Sequence, residues 1–492
     1  MVQRVGSGRV DMVKLGDKAW SGRLAQLGLS RRAFSRAWSE LLERAGAKPA
    51  QTWEADLPED ELPRLKRRID QCLTARGGEV SARARAAELG RAYLSLDDTG
   101  RRRFLALLAR DYGPDRAQLT RAASALAQAK PEEFHRARAA LARAMVSPRL
   151  SLLKQFNGLD QGVKFLVDLR ADLLALPNPD AELVALENEL HDLLSGWFDV
   201  GFLTLRKITW NAPAALLEKL VAYEAVHEIR SWEDLKNRLD SDRRCYAFFH
   251  PAMPDEPLIF VEVALVDGLA GNVQLLLDET APHTDPEQAD TAIFYSISNA
   301  QKGLQGVAFG DFLIKRVVDE LRHDLPNLKT FATLSPIPGF RRWLKERAGQ
   351  APPLFRADEA QLLAALSSGK EPAAALTSLL ERPGWATDAS LATALAPLLT
   401  RLCALYLARE KRPARQPTAP GRAIDPVAHF HLTNGARIER INWLADMSPN
   451  GIAQSAGLMV NYLYRLPEIE SNHERYRAEG KIALSPVVRG LL

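Results

Sequence analysis

Apolar positions recur every three or four residues through the first two hundred residues, the spacing that lines one face of a helix. "RRRFLALLARDYGPD" has this pattern and is stopped by Gly113 and Pro114. "KPEEFHRARAALARAMVSP" opens with Pro131 and two glutamates, which suit a first helical turn, and closes before Pro148. "GVKFLVDLRADLLAL" and "ELVALENELHDLLSGWF" continue the series. No repeat of fixed period links these segments, so they predict a helical bundle rather than a solenoid.

The pattern changes near residue 200. "FLTLRKITW" and "CYAFFH" are aromatic and β-branched, as strands are. The turn "PAMPDE" and the apolar run "PLIFVEVALV" follow, completing a hairpin. "NVQLLLDE", "TAIFYSIS" and "TFATLS" predict further strands, with helices at about 310–323 and 338–348 between or after them. Strands before residue 300 are close in sequence and so antiparallel, with a mixed region beyond. Residues 355–410 read as helical again, and "KRPARQPTAPGRAIDP" as an exposed linker. Asn434-Gly435, inside "HFHLTNGARIERINW", is a strong hairpin signal. The predicted class is α+β and multi-domain: an all-helical region over 1–200, then a mixed α/β domain over 201–492 with a helical insertion at about 355–425.

Composition narrows the function without choosing it. At 492 residues, 46% hydrophobic and 26% charged, the chain has the makeup of a soluble protein with ample core. A net charge of +4 is small for this length, and most arginines are matched by acids, so no nucleic-acid face is expected. A polyanionic small ligand suits it equally well. Cys72, Cys245 and Cys403 are far apart, which argues against disulfides or a structural zinc and for a reducing compartment. The most apolar span, "LATALAPLLTRLCALYLA", is interrupted by Pro397 and Arg401, so no membrane helix is expected. The N-terminal stretch has no apolar h-region and "VVRGLL" is not a peroxisomal tripeptide, leaving the cytoplasm as the expected compartment.

Three stretches offer chemistry. In "SISNAQKGLQGVAFGDFLIKRVVDEL" a strand gives way to glycines at 303, 306 and 310 and to a helix beginning near Gly310. Phe309, Leu313, Val317 and Leu321 share one face of that helix. Glycine admits close approach of a ligand to the backbone, and free N–H groups at a helix start favour an anion such as a pyrophosphate. The spacing matches neither the dinucleotide fingerprint nor the P-loop. In "TFATLSPIPGFRRWL", Ser335 reads as the N-cap of the next helix with Pro336 at its first position, a role compatible with chemistry. No G-x-S-x-G elbow is present. In "HFH", His429 and His431 share one face of an expected strand. They could bind a metal, although no third ligand is near, pack as core histidines, or move a proton.

Taken in order, "GVKFLVDLRADLL", "LLSGWFDVGFLTLRKITW", "YEAVHEIRSW", "RRCYAFFHPAMPDEPLIFVEVAL", "FYSIS", "GLQGVAFGDFLIKRVV", "LSPIPGFRRWL" and "FHLTNGARIERINWLADMSPNGIAQSAGLMVNYLY" resemble the malonyl-CoA decarboxylase family over about residues 150–465. The resemblance implies a helical domain used in assembly, as a dimer or tetramer, and a catalytic domain similar to the GNAT acyltransferase fold. It implies a proton-transfer pair at Ser335 and His431. It also implies a malonyl-CoA loop formed by Gln305, Gly306, Val307, Ala308, Phe309, Gly310 and Asp311. Family members can have a glutamate where this chain has Ala308, which puts in doubt any mechanism that needs that carboxylate. Lys302, Lys315 and Arg316 are candidates for the other CoA phosphates, against the alternative of a solvated helix face. Ser296, Gly303, Asn434 and Tyr462 complete the candidate substrate contacts.

The implied chemistry suits these residues. When CO2 leaves a malonyl thioester, charge flows into the thioester carbonyl, so no metal or organic cofactor is expected. The protein must orient the carboxylate, stabilise the enolate oxygen and protonate the α-carbon. His431 is the expected proton donor, and Ser335 its hydrogen-bonding partner and proton acceptor, close to the thioester or the departing carboxylate. The expected partners are malonyl-CoA and acetyl-CoA, with no nucleic acid or membrane. The rivals are a GNAT-type acyl-CoA transferase, a thioesterase acylated on Ser335, and a non-catalytic acyl-CoA binding protein.

Overall fold

The computed structural model describes residues 53–74, 78–307, 313–350, 353–412 and 420–492. The chain divides into two compact units. One contains the described residues up to Thr204, Phe249–Leu258 and the described part of Asn299–Phe309. The other contains Leu205–Phe248, Ile259–Ser298 and the described residues from 313 onward.

The first unit is helical: Leu62–Leu73, Gly78–Ser95, Asp98–Asp111, Arg116–Ala127, Phe134–Ala144, Pro148–Phe156, Gly162–Leu174 and Ala181–Trp197. Side-chain caps start several of these helices. Asp97 accepts from the Gly100 N–H, Asp115 from Ala117 and Gln118, Ser147 from Leu150, and Asp180 from Leu183. Apolar positions at helical spacing, such as Leu183, Leu186, Leu190 and Leu194, are buried. Arg149 is buried as well. Its charge meets Glu189 at 2.9 Å and it donates to the Ala109 carbonyl at 2.6 Å.

The second unit is built on an eight-stranded sheet: β1 (Thr204–Ile208), β2 (Arg243–Phe249), β3 (Ile259–Val266), β4 (Thr291–Asn299), β5 (Thr330–Thr333), β6 (Ser335–Pro336), β7 (Arg437–Asn442) and β8 (Met459–Leu463). β2 and β3 form the expected antiparallel hairpin, with Tyr246 opposite Val261. β4 and β5 are parallel, Thr291 beside Thr330, because the chain between them returns through the helix Leu313–Asp324. After Thr333 the chain jogs at Leu334, and Ser335 pairs with Val460 of β8, whose other neighbour is Ile441 of β7. The core between strands includes Ile293, Tyr295, Ala332, Leu334 and Met459.

Four local expectations are corrected. "NVQLLLDE" contains a short helix, Val273–Leu276, because Asn272 caps it by accepting from the Leu275 N–H. Ser335 lies in a strand and caps nothing; the following helix, Phe340–Arg347, starts from Gly339. "HFH" belongs to a helix, Pro426–Thr433, started by Pro426 and by Asp425, which accepts from Val427 and Ala428. Asn434-Gly435 ends that helix instead of turning a hairpin. Gly435 has φ +81°, and a Cβ there would lie 2.2 Å from the Ile469 carbonyl oxygen.

Residues 355–410 are helical as expected, in Ala357–Leu366, Pro372–Glu381 and Ala389–Arg409. The last helix runs unbroken through Pro397 and is long and apolar enough to cross a membrane. Most of it is buried within the unit, and Arg401 is paired with Glu359. In the expected linker, Lys411 and Ala423 bridge one another and Ala423 is buried, while 413–419 lie outside the described residues.

Candidate active site

Ser335 and His431, 96 residues apart in sequence, meet in the second unit: Ser335 Oγ lies 3.1 Å from His431 Nε2. Strand pairing with Val460 fixes the serine, and the Asp425-capped helix fixes the histidine. The contact extends at both ends. Ser335 donates to Thr333 Oγ1 at 2.8 Å, and His431 Nδ1 lies 2.7 Å from Tyr464 Oη. The Tyr462 N–H donates to Thr333 Oγ1 at 3.1 Å, and the Tyr462 ring lies beside the imidazole. Alternation along strands explains the convergence, since Thr333 with Ser335 and Tyr462 with Tyr464 are each two residues apart and share a face.

Burial sets the protonation of this chain of groups. Removed from water, His431 is pushed down to about 3, so the ring is neutral at physiological pH. The same cause pushes the Tyr464 phenol well above its ordinary value, so it keeps its proton. With the Ser335 proton on Thr333, the consistent arrangement has Tyr464 donating to Nδ1 and Nε2–H donating to Ser335. Proton movement can therefore pass between imidazole and hydroxyl. Two nearby polar tips, Tyr462 Oη and Asn434 Oδ1, are buried and have no hydrogen-bond partner among the described residues.

The other sequence-nominated residues have different surroundings. Ser296 is turned to the buried Glu224 carboxylate, 2.9 Å from each oxygen, where Ser298 also donates at 3.2 Å. Asn434 is the C-cap of the histidine helix and donates to the Phe430 carbonyl. His429 projects away from His431 to Tyr476 Oη at 2.8 Å, as two residues on a helix must, so the pair does not converge on a metal. Lys315 pairs with Glu470 at 3.2 Å, and the Arg316 guanidinium lies 5.5 Å from the Phe248 ring centre. Leu313, Val317 and Leu321 form the buried face expected of their helix.

Lys302, Gly303, Gln305, Gly306 and Val307 lie in the helical unit. Lys302–Leu304 form a single 3₁₀ turn, Val307 is buried, and Arg170 holds the Gly303 and Gln305 carbonyls. Ala308, Phe309, Gly310 and Asp311 lie outside the described residues. Sequence reading missed Thr333 and Tyr464. The available signal was strand alternation around Ser335 and within "VNYLY".

Comparison with known proteins follows the same two parts. A family model described as the malonyl-CoA decarboxylase C-terminal domain matches residues 201–492, and one described as the N-terminal domain of the same family matches 112–198. A relative from Anser anser anser, named malonyl-CoA decarboxylase, mitochondrial, is 42% identical over 429 residues, 83% of each chain. The crystal structure of malonyl-CoA decarboxylase from Rhodopseudomonas palustris is similar with a TM-score of 0.78 and 42% identity, covering 87% of this chain and 99% of that one. The corresponding structure from Agrobacterium vitis gives a TM-score of 0.77 and 41% identity, with 87% and 99% coverage.

Proposed function

The chain belongs to the malonyl-CoA decarboxylase family, and from that premise we propose that it converts malonyl-CoA to acetyl-CoA and CO2 through the Ser335–His431 pair. The observation that carries the assignment of residues is the buried Tyr464–His431–Ser335–Thr333 hydrogen-bond chain. The C–C bond to the carboxylate breaks, and its electron pair enters the thioester as an enolate. Because the thioester accepts these electrons, the reaction needs no metal or organic cofactor. A malonyl carboxylate brought beside the neutral imidazole favours its protonated form, as an opposite charge raises a histidine pKa. The imidazolium then gives its Nε2 proton to the α-carbon, and Ser335 holds that nitrogen in register. The net reaction consumes one proton, which the ring recovers from solvent.

The Gln305–Asp311 loop takes the pyrophosphate of CoA in this reading. Support comes from its glycines and from its place between β4 and the helix Leu313–Asp324. The parallel β4–β5 pair within a mainly antiparallel sheet favours a GNAT-like description of residues 201–492, with 355–425 as a helical insertion. Assembly through the helical region and a cytoplasmic location are part of the same proposal.

Incubation with malonyl-CoA alone, followed by mass spectrometry, is the test. Acetyl-CoA and CO2 are expected from the wild type, and neither from His431→Asn or Ser335→Ala. Free CoA would indicate a thioesterase. Unchanged malonyl-CoA would indicate a transferase awaiting an acceptor or a binding protein.

A further inference from the structure

One buried cation in the helical unit has no role in the proton chemistry. Arg170, on the helix Gly162–Leu174, is 3% exposed. Its Nε and Nη2 donate to Glu187 Oε1 at 2.9 and 2.7 Å, which offsets the cost of burying the charge. Its remaining nitrogen, Nη1, reaches two backbone carbonyls at once, Gly303 at 2.7 Å and Gln305 at 2.8 Å.

The turn it grips is pressed against the same helix. A Cβ on Gly303 would lie 1.7 Å from the Val167 carbonyl oxygen, so only glycine fits. On the other side of the turn, the Gly306 carbonyl lies 3.3 Å from His191 Nε2. A trans peptide directs its N–H opposite to its carbonyl. With the Gln305 carbonyl on Arg170, the Gly306 N–H is therefore aimed away from Arg170. That N–H makes no hydrogen bond among the described residues.

We propose that Arg170 is a positioning residue for substrate recognition: by gripping the Gly303 and Gln305 carbonyls it aims the Gly306 N–H at a phosphate oxygen of the CoA pyrophosphate. This rests on the reading that the loop takes the pyrophosphate. Lysine at 170 keeps the charge beside Glu187 but presents one donor head in place of a fixed fork, so it cannot hold both carbonyls as well.

The test compares malonyl-CoA with malonyl-pantetheine, which has the same reacting end and no phosphates. In the wild type, kcat/KM should be far higher for malonyl-CoA. In Arg170→Lys that preference should fall about tenfold through KM, because the loop spends less time in the competent state. If the wild type does not distinguish the two substrates, the pyrophosphate reading fails and the Arg170 proposal fails with it. If the wild type distinguishes them but Arg170→Lys keeps the full preference, or loses activity equally on both substrates, the Arg170 proposal alone is overturned. Should Arg170→Lys fail to fold, Glu187→Gln is measured against the same two outcomes. It leaves the guanidinium in place and weakens the group that fixes its fork.

Discussion

Tyr462 lies nearly flat against the His431 imidazole, with ring centroids 4.5 Å apart and planes 24° from parallel. Stacking fixes the plane of the imidazole, so that Nε2 faces Ser335 while Nδ1 faces Tyr464. The tyrosine face, not its hydroxyl, meets the histidine, and that hydroxyl has no partner among the described residues. Tyr462→Phe should accordingly keep kcat within about twofold, whereas Tyr462→Ala should cost about 3–5 kcal/mol in denaturant unfolding because it opens a cavity. A large rise in KM for Tyr462→Phe would instead assign the hydroxyl to substrate.

Tyr464 is the outer end of the chain, and its removal tests whether the ring must be held from behind. Tyr464→Phe leaves a buried nitrogen unpaired, which typically costs ~1–3 kcal/mol. The imidazole is then free to choose the wrong tautomer, so kcat should fall by at least about tenfold while KM stays near the wild-type value. Steady-state kinetics with malonyl-CoA read both numbers. A change confined to KM would remove Tyr464 from the proton path.

Burial of a neutral histidine has a consequence for stability with a definite sign. The folded pKa of His431 is depressed to about 3 from an ordinary 6.5, so below pH 6.5 the unfolded chain binds the extra proton. His431 therefore contributes stability that is present above pH 6.5 and lost as the pH falls toward 3, at up to about 1.4 kcal/mol per pH unit. Glu262 acts in the opposite direction. Burial pushes its carboxyl up to about 7 beside Arg238, so its contribution is present below pH 4.5 and fades as the pH rises to about 7. Comparing urea unfolding of wild type and His431→Gln at pH 7 and pH 5 cancels the Glu262 effect. The variant should lose less stability between the two pH values. Equal losses would mean that the ring titrates at its ordinary pKa in the folded protein.

The elements that were legible in the sequence are those whose pattern is local. "CYAFFH" and "PLIFVEVALV" paired as expected because two aromatic and β-branched runs joined by a short connection make a hairpin. The errors came where tertiary structure or a neighbouring cap competed with the local signal. Asn434-Gly435 has the same positive-φ preference whether it turns a hairpin or ends a helix. Asp425 and Pro426 upstream, and the Ile469 carbonyl against Gly435, decide for the helix end. Ser335 looked like a cap because Pro336 follows it, but pairing with Val460, 125 positions on, made it a strand residue. Resemblance to the family brought Ser335 and His431 together. Alternation marks Thr333 as sharing a face with Ser335, and Tyr464 with Tyr462, but only the pairing of Ser335 with Val460 brings those faces together.

The proposed assembly through the helical region gives a prediction independent of the chemistry. The helix Arg116–Ala127 packs beside Phe134–Ala144 yet buries none of its own residues, which is unusual for a 12-residue helix in a bundle. Phe134 at the start of the second helix is 46% exposed, and Met145 and Val146 just after it are 62% and 48% exposed. Apolar side chains of this size each gain about 1.5–3 kcal/mol when fully removed from water, so a second copy covering them would be held firmly. Phe134→Asp combined with Met145→Glu should lower the molar mass measured by light scattering. The melting temperature at low protein concentration should barely change, because neither side chain belongs to the core of its own subunit. An unchanged mass would exclude this hairpin from the assembly contact and move the search to Leu174 and Val184, which are also exposed on helices of the same unit.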